Sequence, residues 1–178
     1  MRRSPFKCLL LMFLLFIAHA LSGQQRTIAP SYEPANLREV TARAATIFVG
    51  RVISIKPMPV AASGQVGSVQ ITFQVEQGVR GTRAGEQFSF REWAGLWSEV
   101  DRYRIGQRMM LFLYTPSSLG LTSPVGGPAG RFPIDASGRV PLTPAQRQSI
   151  QVSQTANIGG SRVPVRGLVR AIRGMSKE

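Results

Sequence analysis

The chain has 178 residues, 22 Lys or Arg against 9 Asp or Glu, a formal net charge of +13, and one Cys and one His. Cys8 and His19 both sit in a short N-terminal segment with the marks of an export signal. A chain that loses that segment cannot build a Ser-His-Asp or Cys-His nucleophilic site, and it lacks the ligands that zinc and copper prefer.

Arg2, Arg3 and Lys7 open the segment, an unbroken apolar run from Cys8 to Ala18 follows, and Ala18-His19-Ala20 has the small-x-small form of a cleavage site. The run is far shorter than the roughly 20 residues that span a bilayer. A Sec-type signal peptide over residues 1–20 is the expectation, cut after Ala20 or alternatively after Gly23, with export to the periplasm or beyond the cell. A retained anchor is the competing reading. No lipobox precedes Cys8, and the run is very apolar for a twin-arginine route. Removing 20 of the 178 residues leaves 158, a normal size for one domain. Three basic residues leave with the segment, so 19 remain against nine acids and the net charge falls to +10. No disulfide can form, and the core must come from apolar packing.

Residues 21–35 are a polar lead. Asn36 to Glu39 places an N-cap with an acid three positions on, and Leu37, Val40 and Ala44 share a face, predicting a helix over 37–45. Thr46 to Lys56 is rich in β-branched residues, with Gly50 marking a bulge or bend and Pro57 and Pro59 ending the strand. Ala61 to Gly67 reads as a loop. Val69, Ile71, Phe73, Val75 and Val79 alternate with polar residues, predicting a strand wet on one face. Phe88 and Phe90 give a shorter strand, and 92–107 a polar-aromatic connection. Met109 to Tyr114 is a continuous apolar run, as expected of a fully buried strand. Gly126 to Gly130 reads as a flexible loop. Arg131 to Ile134 and Arg139 to Leu142 flank Asp135-Ala136-Ser137-Gly138, a hairpin-turn sequence. Thr143-Pro144 starts a possible helix to about Val152, and Val165, Leu168, Val169 and Ile172 predict a last one.

The predicted fold is mainly β: a small OB-type barrel of five or six strands with two or three short helices. The barrel would occupy residues 36–142, with a C-terminal helical extension over 143–178. Its core would draw on Ile47, Val49, Ile53, Ile71, Phe73, Val75, Phe88, Phe90, Leu111, Phe112 and Leu113.

Few catalytic options remain. The only two aspartates are Asp101 and Asp135, neither in an Asp-Thr-Gly context. Glu92, Glu99 and Asp101 are interleaved with Arg91, Arg102 and Arg104, for which surface ion pairing is the expected explanation and a carboxylate-based hydrolase the least favoured one. Lys56 and Lys177 lack a Ser-x-x-Lys pattern, and no Walker or dinucleotide glycine motif is present. The expectation is a non-enzymatic protein with no cofactor and no metal.

Three segments carry a family resemblance: Ala45-Thr46-Ile47-Phe48-Val49-Gly50-Arg51-Val52; Ile71 to Gln77 closing on Val79-Arg80-Gly81; and Tyr103-Arg104-Ile105-Gly106-Gln107 leading into Met110 to Leu113. Their order, over about residues 40–115, resembles the netrin-like domain of the tissue inhibitors of metalloproteinases and the general look of small bacterial secreted proteins. The resemblance implies an OB-type barrel and a protein-binding role, with an exported protease as partner. That family chelates the protease zinc through an N-terminal Cys. None remains here, so no inhibitory residue carries over.

Of the 19 basic residues after cleavage, 17 are Arg, suited to bidentate contact with carboxylate, phosphate and sulfate. Arg91, Trp93, Trp97, Arg102, Tyr103 and Arg104 form the candidate ligand-binding patch, combining charge with stacking aromatics. The plainer alternative packs Trp93 and Trp97 on the barrel as a lid and leaves the arginines solvated. Arg166, Arg170 and Arg173 border the apolar stripe of the last helix, which could lie on an anionic membrane but is expected to dock on the barrel. The partner is thus an unknown protein or, alternatively, an anionic polysaccharide or envelope surface. No nucleic acid and no transmembrane span after cleavage are expected.

Overall fold

β-Branched and aromatic side chains at alternate positions shape most of the ordered structure. The computed structural model describes residues 37–59, 67–96, 103–143 and 161–175. Helix α1 (Leu37–Arg43) leads into the long strands β1 (Thr46–Met58) and β2 (Ser68–Arg80), then β3 (Gln87–Trp93) with a 3-10 turn at Ala94–Leu96. Strand β4 (Arg108–Leu113), a 3-10 turn at Gly127–Gly130, β5 (Arg131–Pro133), β6 (Arg139–Pro141), β7 (Arg162–Pro164) and helix α2 (Val165–Met175) complete the order. The protein is mainly β. One antiparallel sheet runs β3-β2-β1-β4-β5, and β6 and β7 form a separate pair. No ladder among the described residues closes the five strands into a barrel, and that pair brings the strand number to seven, more than the five or six expected.

Both faces of the sheet centre are buried. On one, Phe48, Ile71, Phe73, Phe90, Leu111 and Leu113 pack with Tyr103. On the other, Ile47, Val49, Met110, Phe112 and Phe132 meet α1, α2 and the β6–β7 pair. Strands β1 and β4 therefore face apolar surroundings on both sides, which is why their sequences run Ile-Phe-Val and Met-Met-Leu-Phe-Leu without alternation. Each fully buried Phe contributes about 1.5–3 kcal/mol over its exposed state.

Register shifts in the β1–β2 ladder bend the sheet and correct the alternation read from sequence. The extra residue at Ile53 leaves that side chain 37% exposed rather than in the core, and brings Ile55 against the inner aromatics. The extra residues at Glu76 and Val79 send Val79 to the helix-covered face, away from Val69 to Val75. Gly50 allows the bend: a Cβ there would lie 2.8 Å from the Gln74 carbonyl oxygen. Strand β1 also runs through Pro57, because β4 pairs only with Thr46 to Arg51 and the missing N–H leaves no ladder partner unmet.

The turn at Asp135–Gly138 forms as expected. The Asp135 carboxylate accepts from the Ser137 hydroxyl at 2.6 Å and from the Ser137 and Arg139 amides, both at 2.9 Å. The Ser137 hydroxyl first, then the Arg139 amide, holds this carboxyl below its ordinary range. The flanking strands do not make a hairpin ladder, since β5 pairs with β4 and β6 with β7. The stretch read as a flexible loop over 126–130 holds the 3-10 turn Gly127–Gly130, entered through left-handed Gly126 and Gly127. The segment expected as a C-terminal extension supplies β7 and α2 to the main core. The expected signal segment and polar lead, the loop expected over 61–67 and the helix expected over 143–152 lie outside the described residues, apart from Gly67 and Thr143.

At seven residues, α1 is too short to hold alone. Arg80, from the end of β2, donates from Nη1 to the carbonyls of Thr41 and Ala44 at 2.7 and 2.8 Å, filling the orphan acceptors of its last turn. Arg80→Leu is expected to lower stability by roughly 1.5–3 kcal/mol in urea denaturation, with Arg80→Lys intermediate. A loss below about 0.5 kcal/mol would mean that α1 is held by its apolar face alone.

Candidate functional site

The alternation of β3 turns Phe88, Phe90 and Glu92 to the same face, so a carboxylate enters an aromatic interior. Glu92 is fully buried, with 1% of its side chain exposed, and its Oε1 accepts from Arg131 Nη2 at 2.9 Å. Arg131 lies on β5, beside Leu111 of β4, and its side chain is 12% exposed. β3 and β5 are the two edge strands of the sheet. The ion pair therefore links its opposite edges across the interior.

Tyr103 completes the cluster. The Arg131 guanidinium lies 4.7 Å from its ring centroid, and the ring meets Phe73 and Phe90 edge-on at 5.9 and 6.1 Å. Burial, reinforced by the Glu92 charge and opposed by Arg131, pushes its phenol well above the ordinary tyrosine range. A second link lies on the outer edge of β3. The backbone carbonyl of Arg91 accepts from Thr122 N at 2.8 Å, and its Nη2 donates to the Leu119 carbonyl at 2.7 Å. Arg91 and Leu121 make a single parallel bridge, while Pro124 bridges Leu113 of β4. The segment after β4 thus runs from β4 back to the free edge of β3.

These positions divide the expected ligand patch. Tyr103 is buried, 4% exposed, and belongs to the interior rather than to a stacking surface. Arg91 fastens a loop. Trp93 is 47% exposed at the end of β3, its indole over the backbone of Gly95. Arg104 is exposed in the turn before β4, where its amide donates to Gln107 Oε1 at 3.1 Å. Trp97 and Arg102 lie outside the described residues, as do Glu99 and Asp101. Glu92 is buried rather than part of a surface ion-pair cluster, and it pairs with Arg131, 39 positions away. Arg131 was missed by the sequence reading, although the parity of β3 already placed Glu92 inward and so required a cation.

A second ionic group sits at the β2 bulge. Glu76 accepts from Arg108 Nε at 3.0 and 3.1 Å and from Arg108 Nη2 at 2.6 Å, with Arg51 Nη2 at 3.7 Å. The hydrogen bonds to Glu76 raise the Arg108 pKa. Arg51 and Arg108 are cross-strand partners of like charge, and the bulged carboxylate relieves them. No group of three or more His, Cys, Asp or Glu able to hold a metal ion occurs among the described residues, and none of their helices is long and apolar enough to cross a membrane. No family model matches the chain, and no curated protein matches it in sequence.

Glu92→Gln is expected to destabilise the fold by about 3–5 kcal/mol, because it strands a buried guanidinium. The double change Glu92→Leu with Arg131→Met is expected to restore most of the loss in the same urea titrations. A single-variant loss under about 1 kcal/mol would rule the pair out as the link between edges.

Tyr103 gives a pH signature. Its protonated form suits the interior, so its contribution is whole below the unfolded-state value of about 10 and drains away as pH rises through the higher folded-state value. In an alkaline spectrophotometric titration, one of the three tyrosines should ionise only with unfolding, and Tyr103→Phe should abolish that late step. Three tyrosines ionising together before any loss of structure would contradict it.

Proposed function

We propose that the chain is an exported, non-enzymatic binding module on a netrin-like, OB-type barrel, and that its partner is another protein, an exported protease first among the classes to test. The observation that carries the reading is the linking of the two sheet edges by Glu92 and Arg131. It gives the curved sheet an inner and an outer face, the plan of small barrels whose loops and faces bind ligands.

The carboxylates add support, since all five among the described residues hold structural contacts. Glu39 pairs with Arg43, Glu76 with Arg108, Glu92 with Arg131, Glu86 accepts from the Arg83 amide, and Asp135 builds its turn. Trp93, Ile105 and Leu119 are large and exposed, at the end of β3 and in the loops before and after β4. An exposed Trp is the kind of side chain on which a protein interface concentrates its energy. The protease class rests on the resemblance alone.

The test is capture from the exported fraction of the source cells by the immobilised chain without residues 1–20. The expectation is one protein retained in stoichiometric amount through a wash at ~1 M salt, where charge-driven contacts are screened, with affinity weakened at least about tenfold by Trp93→Ala. Release of every captured species at modest salt would overturn the protein-binding reading.

A further inference from the structure

We propose that the outer face of α2, with the β6–β7 pair leading into it, is a second binding surface, for a linear anionic polysaccharide, formed by Arg139, Arg162, Arg166 and Arg170. It stands apart from the protein contact above. Along α2, Leu168, Val169, Ala171 and Ile172 are buried against the core, so the opposite face is turned to solvent. Arg166 and Arg170 are both exposed there. Four residues apart, they lie about 6 Å along the helix axis and about 40° apart around it, one above the other.

The β6–β7 pair extends the row. Val140 and Val163 are opposed partners and buried, so Arg139 and Arg162, with Pro141 and Pro164, take the exposed face. The Val165 amide donates to the Gly138 carbonyl at 3.1 Å, which sets Arg139 beside the first turn of α2.

The arginines of this row differ from most of those elsewhere in how they are used. Arg43, Arg51, Arg80, Arg91, Arg108 and Arg131 each bond a carboxylate or a backbone carbonyl. Among the described residues, the guanidinium groups of Arg139, Arg166 and Arg170 have no such partner, and Arg162 has only a 3.6 Å pairing with Asp135. Arg166 stands in the first helical turn, where the helix dipole disfavours a cation and no acid is present. Arg166 and Arg170 also repel one another at i, i+4, with no acid in α2 to relieve them. The helix thus keeps charges that work against its own stability, which is expected of a binding face.

The occupant follows from what surrounds the charges. A membrane-surface helix needs apolar side chains beside its cations, but the apolar side of α2 faces the core, and the exposed large hydrophobics among the described residues, Ile53, Trp93, Ile105 and Leu119, lie on β1, on β3 and in the loops around β4. No aromatic side chain occurs within Arg162–Met175 to stack a base. A narrow file of planar, forked donors suits carboxylates or sulfates repeating along a chain.

The test is binding of the chain without residues 1–20 to immobilised heparin across a salt series. Two double variants of equal charge change are compared, Arg166→Gln/Arg170→Gln and Lys56→Gln/Arg83→Gln, the latter exposed and lacking side-chain partners among the described residues. The first is expected to weaken binding about tenfold and flatten the salt slope by about two, the second to change it less than about twofold. Neither pair should lower the melting temperature, and the first should raise it slightly by removing the repulsion and the cation from the first helical turn. Equal losses from the two pairs would show that net charge alone is sensed and overturn the surface. Tighter binding to duplex DNA, or to phosphatidylglycerol vesicles, at matched charge and salt would overturn the polysaccharide assignment.

Discussion

One buried ion pair between the outermost strands of the sheet constrains nearly everything else in this protein. Glu92 and Arg131 come from opposite edges, and no ladder joins those edges. For their side chains to meet at 2.9 Å the sheet must curl, and the bulges at Ile53, Glu76 and Val79 supply the curvature. Taking both charges out of water costs several kcal/mol per ion before their attraction returns it. The pair is better understood as fixing which edge meets which than as a net source of stability. The Tyr103 face over the guanidinium makes a vacant, water-filled alternative poorer still.

The same link answers a problem of edges. An exposed strand edge is a template for pairing with another chain. On β3 the Arg91 backbone carbonyl is met by Thr122, and the Arg91 side chain holds the loop that brings Thr122 there. Gly120 permits the approach: it takes a left-handed φ of 68°, and a Cβ would lie 2.6 Å from Arg91 Nη2. The Gly-Pro-rich segment after β4 therefore serves as a cover for the sheet.

What was legible in the sequence was whatever depended on period. The buried file Val69, Ile71, Phe73 and Val75, the two-sided burial of Met109 to Leu113 and the apolar stripe of α2 all follow from spacing. What was not legible depended on a single inserted residue or a distant partner. A bulge leaves no mark on composition, so Ile53 and Val79 were assigned to the wrong face. Tyr103 was placed on a binding surface because it neighbours Trp97, Arg102 and Arg104 in sequence, while its environment is set by Phe73, Phe90 and Arg131. Glu92 was grouped with Glu99 and Asp101 for the same reason. A charged residue in phase with Phe88 and Phe90 was the one available sign of an interior ion pair.

The preference for Arg over Lys acquires a structural cause from the backbone contacts. Arg51 reaches the Gly106 carbonyl, Arg80 those of Thr41 and Ala44, Arg91 that of Leu119 and Arg173 that of Gly78. Each acceptor lies at a turn, a loop, the end of a helix or, for Gly78, beside a bulge of β2, where carbonyls are short of partners. A guanidinium offers five donors in a rigid fork on a long stem, so it can bond two carbonyls at once, as Arg80 does; a compact, strongly hydrated ammonium does this less well. With no cysteine after Cys8, these long-reach contacts join distant parts of the chain without any disulfide. Genome composition alone would scatter arginines without regard to carbonyls. In the sheet and its loops most of them instead fall on orphan acceptors and acids, whereas on the outer side of α2 and beside it Arg139, Arg166 and Arg170 stand in file with no carboxylate or carbonyl of the described chain to bond.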